Sequence, residues 1–112
     1  MSNTPKRPAN MDEIAKSVEH AEICKLLTAM YEEKNAHYGD SYTMLRFEYP
    51  MSICWRLTDK LNRLKTLYRY GDVSYEDNIN DTLMDIANYA IMELIERGGE
   101  WNDNHSTPLP YL

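Results

Sequence analysis

Asp81 and Asp85 stand four residues apart, with Thr82, Asn88 and Tyr89 beside them. On a helix that spacing sets both carboxylates on one face. Two such charges repel unless a cation meets them. The pair suits Mg²⁺, which takes carboxylate oxygens and shares its other positions with water and substrate phosphates. The alternative is a solvated acidic face. Arg56, Lys60 and Arg63 recur at steps of four and three and suit phosphate, the guanidinium as a fork and the ammonium as a point charge. Their alternative is ion pairing with Asp59, Asp81 or Asp85 across a helix interface.

A third group runs from Glu33 to Ser41. Here Tyr38 offers a ring to stack on a base, Asn35 an amide to read its edge, and Gly39, Asp40 and Ser41 a polar turn. No GxSxG, P-loop, Cys–His or HExxH pattern is present, so any hydrolysis would be metal-assisted. Asp81 and Asp85 would then be catalytic and hold Mg²⁺, joined by Glu33 or Asp40. Asn35, Tyr38, Gly39, Asp40, Ser41, Arg56, Lys60, Arg63, Asn88 and Tyr89 would contact the ligand.

Helices must carry these groups. Asn10 and Glu13 have capping-box spacing, and Met11, Ile14, Val18, Ala21, Cys24, Leu27 and Met30 follow as one apolar stripe of a helix to about Asn35. Gly39-Asp40 signals a break over residues 36–41, and Pro50 forbids a continuous helix through the ambiguous stretch from Tyr42 to Tyr49. Ile53, Leu57, Leu61, Leu64 and Leu67 or Tyr68 mark a second helix that Gly71-Asp72 ends. Ser74 with Asp77 forms another capping box. Ile79, Leu83, Ile86, Ala90 and Leu94 mark a third helix that Gly98-Gly99 stops. The expected architecture is all-α, a small antiparallel bundle of three main helices with a further short one near Tyr42 left open, and with residues 1–9 a flexible lead-in, 10–100 one domain and 101–112 an irregular tail.

Composition narrows the classes further. The 112 residues carry a formal net charge of -6 with both signs interspersed, which argues against a duplex-coating nucleic-acid binder. No apolar run reaches the ~20 residues of a membrane span. The opening residues lack an apolar signal core. Cys24 and Cys54 read as reduced core thiols, and a cytoplasmic setting is expected, the host cytoplasm if the chain is phage-encoded. Seven Met and nine Tyr are many for so thin a bundle, so a homodimer or higher homo-oligomer is expected to complete the core.

Three blocks in order resemble one family. They are Lys34-Asn35-x-x-Tyr38-Gly39-Asp40-Ser41, Arg56-Leu57-x-Asp59-Lys60-x-x-Arg63-Leu64, and Glu76-Asp77-x-x-x-Asp81-Thr82-Leu83-x-Asp85-Ile86-Ala87-Asn88-Tyr89-Ala90. The family is the nucleotide modification associated domain, type one, found largely in phage and prophage proteins. The resemblance implies a link to phage nucleotide metabolism. A looser likeness to MazG-type all-α nucleotide pyrophosphohydrolases implies Mg²⁺ chemistry. That likeness departs at the motif: Asp81 and Asp85 are four apart, not three, and Glu19-x-x-Glu22 lies far from the Gly39 loop. The leading expectation is a nucleotide-binding protein with pyrophosphohydrolase-like activity. The alternatives are a non-catalytic protein that sequesters a nucleotide from host defence and a helical adaptor for a protein partner.

Overall fold

The computed structural model describes residues 10–38, 40–71 and 76–98. The described residues form four helices and no strand: α1 (Met11–Tyr38), α2 (Ser41–Glu48), α3 (Ser52–Arg69) and α4 (Glu76–Glu96). The all-α expectation is met, and α2 is the short helix near Tyr42 that the sequence left open beside the three main ones. The lead-in, the tail, Gly39 and the Ser74 capping box lie outside the described residues.

Local chemistry explains the boundaries. The capping box at the start of α1 forms: the Glu13 amide donates to Asn10 Oδ1 at 2.9 Å, and the Asn10 amide donates to the Glu13 carboxylate at 3.3 Å. α1 then runs to Tyr38, beyond the break expected after Asn35. Nothing in Asn35-Ala36-His37 opposes helix, and the turn signal acts only at its own position. Lys34 and Asn35 are therefore helical residues. Tyr42 to Glu48, the ambiguous stretch, is α2. Pro50 separates it from α3, and a tight turn in which the Ser52 amide donates to Tyr49 O at 2.8 Å starts the new helix. α4 ends on Gly98, whose φ of 61° is open to glycine at little steric cost; its amide reaches Ile95 O at 2.9 Å.

α3 and α4 make the most extensive packing, α2 lies against α3, and α1 meets α4. Leu27, Tyr42 and Leu67 are the buried hydrophobic side chains among the described residues. Ser52, Thr82 and Asn88 are buried polar ones. The inner face of α4 is unusually polar, with Thr82, Asp85, Asn88 and Glu93 all sheltered. Part of the apolar stripe expected on the later helices turns outward instead: Leu61, Tyr68, Leu83 and Leu94 are exposed.

The stripe on α1 is not a single face. Each residue advances about 100° around a helix, so each three-residue step slips the stripe by about 60°. The successive steps Val18, Ala21, Cys24, Leu27 turn it by about 180°. Leu27 faces the chain's own core at 7% exposure, while Val18 stands 57% exposed and Met11 78%. Cys24 and Cys54 are free and exposed, correcting the expectation of core thiols.

Candidate functional site

A cleft of about 370 Å³ opens where the second half of α1, the start of α2, α3 and α4 converge. That volume falls in the range of small-molecule sites. α3 contributes Arg56 and Lys60, one turn apart; α4 contributes Asp85, Asn88, Tyr89 and Met92; α1 adds Tyr31, Lys34 and Asn35; α2 adds Ser41 and Tyr42. The helix register explains the gathering. Residues four apart on α3, and three or four apart on α4, project to the same side.

Arg56 sits at the centre of the cleft's chemistry. Its guanidinium carbon lies 5.3 Å from the ring centroids of both Tyr42 and Tyr89, whose rings stack 6.1 Å apart at 26°. Both rings therefore lie on one side of the guanidinium, and cation–π attraction to each helps to hold it. Its Nη1 donates weakly to the Tyr89 hydroxyl at 3.4 Å, and its buried Nε has no hydrogen-bond partner among the described residues. It makes no ion pair there either.

Lys34 and Lys60 both pair with Asp85, Lys60 at 3.1 Å. Burial pushes the Asp85 carboxyl up, but hydrogen bonds from Lys34 and Lys60 and their charges outweigh it and hold it below the ordinary carboxylate range. Asp85 is the one carboxylate in the lining, set against three cations.

A second group pins α2 in place. The Tyr42 hydroxyl donates to Glu93 Oε1 at 2.8 Å, and Arg46 reaches the same carboxylate, with Nε 3.1 Å from each oxygen and Nη2 3.0 Å from Oε2. Burial raises the Glu93 carboxyl, and the hydrogen bonds from Arg46 and Tyr42 more than reverse this, leaving it lowered. Burial first, and then the Glu93 hydrogen bond, push the Tyr42 hydroxyl far above its usual value. Asn88 is largely a fastener, since its Nδ2 donates to Leu27 O at 3.1 Å and ties α4 to α1.

The expected ligand residues Asn35, Ser41, Arg56, Lys60, Asn88 and Tyr89 come together in this cleft, with Asp85. Asp40 lines an adjoining cleft. Gly39 and the Tyr38 side chain lie outside the described residues. Arg63 turns away to Thr82 Oγ1, at 3.4 Å. Asp81 and Glu33 are exposed and line neither cleft. Among the described residues, no three or more His, Cys, Asp or Glu side chains gather in a way that could hold a metal ion. Tyr31, Lys34, Tyr42 and Met92 were not among the expected site residues. Tyr42 and Arg46 do carry a local signal, four-residue spacing on a short helix, but their partner Glu93 lies far along the chain.

The family model of nucleotide modification associated domain 1 matches residues 34–96. That is more than half of the chain, and the chain belongs to this family. The matched span includes every residue lining the cleft except Tyr31. No curated protein and no solved structure matches the chain.

Proposed function

From that family membership and the make-up of the cleft, we propose that the chain binds a nucleotide between α1, α3 and α4. The observation that carries this is Arg56. It is a guanidinium held by two tyrosine rings in a cleft with two lysines, and it has no carboxylate of its own among the described residues. A buried donor left unmatched is costly, and a phosphate oxygen supplies the missing acceptor. Arg56, Lys60 and Lys34 hold the phosphate, while Asn35 and the tyrosine rings meet sugar and base. Asp85 acts as an internal counter-ion that keeps the lysines placed when the cleft is empty.

Binding takes precedence over turnover in this proposal. Asp85 is the lining's one carboxylate, and lysines on two helices hold it ionised, which makes it a weak base. Mg²⁺ fits as a counter-ion carried in on the phosphates, with Asp85 as its one protein carboxylate. Asp81 and Glu33 stand outside the lining and add no ligand to it. Sequestration of a phage or host nucleotide follows from this assignment, and metal-assisted pyrophosphate cleavage is the second reading, supported by the place of Asp85 beside Lys60.

The proposal extends to a homo-oligomer, because α1 leaves Met11, Ile14 and Val18 uncovered, and Phe47 and Trp55 stand exposed at the α2–α3 corner.

Calorimetry of the full chain against a nucleotide panel, with chromatography of the recovered ligand, tests the function. Binding is expected, with the ligand recovered intact. Arg56→Leu should weaken it by about 10- to 100-fold, the worth of hydrogen bonds to a charged group. If no nucleotide binds or raises the melting temperature, the proposal fails and a protein-binding adaptor takes its place.

A further inference from the structure

The cleft adjoins a second one of about 230 Å³, and the two share Tyr31, Asn35, Tyr42 and Met92 as a common wall. The two lobes differ in charge. In the first, Lys34, Arg56 and Lys60 face Asp85 alone, three positive charges against one negative, a surplus of two. In the second the charged residues are Asp40 and Glu96, with Thr43 beside them. An acidic lobe so close repels any further phosphate and attracts N–H donors.

Resting on the nucleotide-binding assignment above, we infer that the two-lobed cleft takes a nucleoside monophosphate whose base bears an exocyclic amino group. The phosphate sits in the cationic lobe and the base in the acidic one. A phosphate monoester near neutrality carries nearly two negative charges, matching the surplus of two. A triphosphate brings about two more negative charges, which exceed the surplus that the cationic lobe offers. The amino-bearing edge of adenine, guanine or cytosine donates to carboxylate oxygens, whereas uracil and thymine present carbonyls at the corresponding position. The Oε1 atom of Glu96 is buried and has no hydrogen-bond partner among the described residues, so that oxygen is open to a donor, although the Arg46 charge acts on the same carboxylate.

The experiment is calorimetry of the full chain in metal-free buffer. The probes are the mono-, di- and triphosphates of adenosine, guanosine, cytidine and uridine, with inorganic phosphate as reference. A monophosphate of an amino-bearing base is expected to bind at least about tenfold more tightly than its triphosphate and than uridine monophosphate. Glu96→Gln is expected to shrink the preference between bases severalfold, and Asp40→Asn, at an exposed position, checks the same lobe independently. A triphosphate that binds as tightly as its monophosphate overturns the inference and leaves nucleotide binding standing. Base preference unchanged in both variants, each melting as the parent does, overturns the assignment of the acidic lobe. Absence of binding by every nucleotide overturns the function itself.

Discussion

Asp85 shows how a residue's type can be legible while its role is not. The four-residue spacing to Asp81 suggested a metal-binding pair, yet a 40° offset on a helix is enough to leave one aspartate exposed and the other in the cleft. The lysines that decide its role come from α1 and α3, and no local pattern announces such pairings. Lys60 and Arg56 were readable because their spacing lies within one helix. If Asp85 is the internal counter-ion, Asp85→Asn frees both lysines and should tighten nucleotide binding severalfold, at the cost of a lower melting temperature. If Asp85 instead holds Mg²⁺ for cleavage, the same variant should abolish Mg²⁺-dependent binding and turnover, so one titration with and without Mg²⁺ separates the two. Acid should act through the same groups. Asp85 and Glu93 are lowered in the folded chain, so their stabilisation is present above the unfolded values of about 4 and is lost as pH falls through the folded ones. Melting followed by circular dichroism should hold steady from pH 7 to about 5 and fall steeply below about 4.

At the scale of elements, the helices were visible wherever caps and breakers mark them: the Asn10–Glu13 box, Pro50 and Gly98 all act as their chemistry requires. α2 was visible only as an option, a short helix near Tyr42, because eight residues are too few to stand alone in water and its support is tertiary. Glu93 supplies that support, taking a hydrogen bond from Tyr42 and a two-oxygen contact from Arg46, one turn apart on α2. Tyr42 is also one of the two rings that hold Arg56, so the pin on α2 and the shape of the cleft are coupled. Glu93→Leu should destabilise the fold by about 2–4 kcal/mol, since it strands a half-buried guanidinium and a buried hydroxyl. It should also weaken nucleotide binding though Glu93 lines neither cleft. A variant that lost stability but bound nucleotide as the parent does would separate α2 from the site.

At the scale of the whole molecule, the question is what covers the first half of α1. An isolated helix of about 16 residues is marginal in water, and most helices owe their stability to packing of an apolar face. Between Met11 and Leu26 nearly every side chain is exposed. The slip of the stripe by about 180° between Val18 and Leu27 puts Met11, Ile14 and Val18 on the side opposite the one that packs against α4. No rearrangement of α4 alone could cover both sides, and none of the described residues covers this one; we propose that a surface from outside the chain does. The expectation of an oligomer arose from composition, and the slip marks the face that we propose for the contact. A second copy is the occupant we propose, because Phe47 and Trp55 stand exposed as well and give the same chain a second apolar surface to pair with this one. Light scattering on the purified chain should then give at least a dimer at micromolar concentration. Val18→Asp, which sets a charge in that stripe, should shift it to monomer and lower the helical content, because the freed half of α1 frays. The cleft draws only on the second half of α1, so a monomeric Val18→Asp chain should still bind nucleotide. A parent chain that is already monomeric, or a variant that stays dimeric, would place the contact elsewhere or remove it.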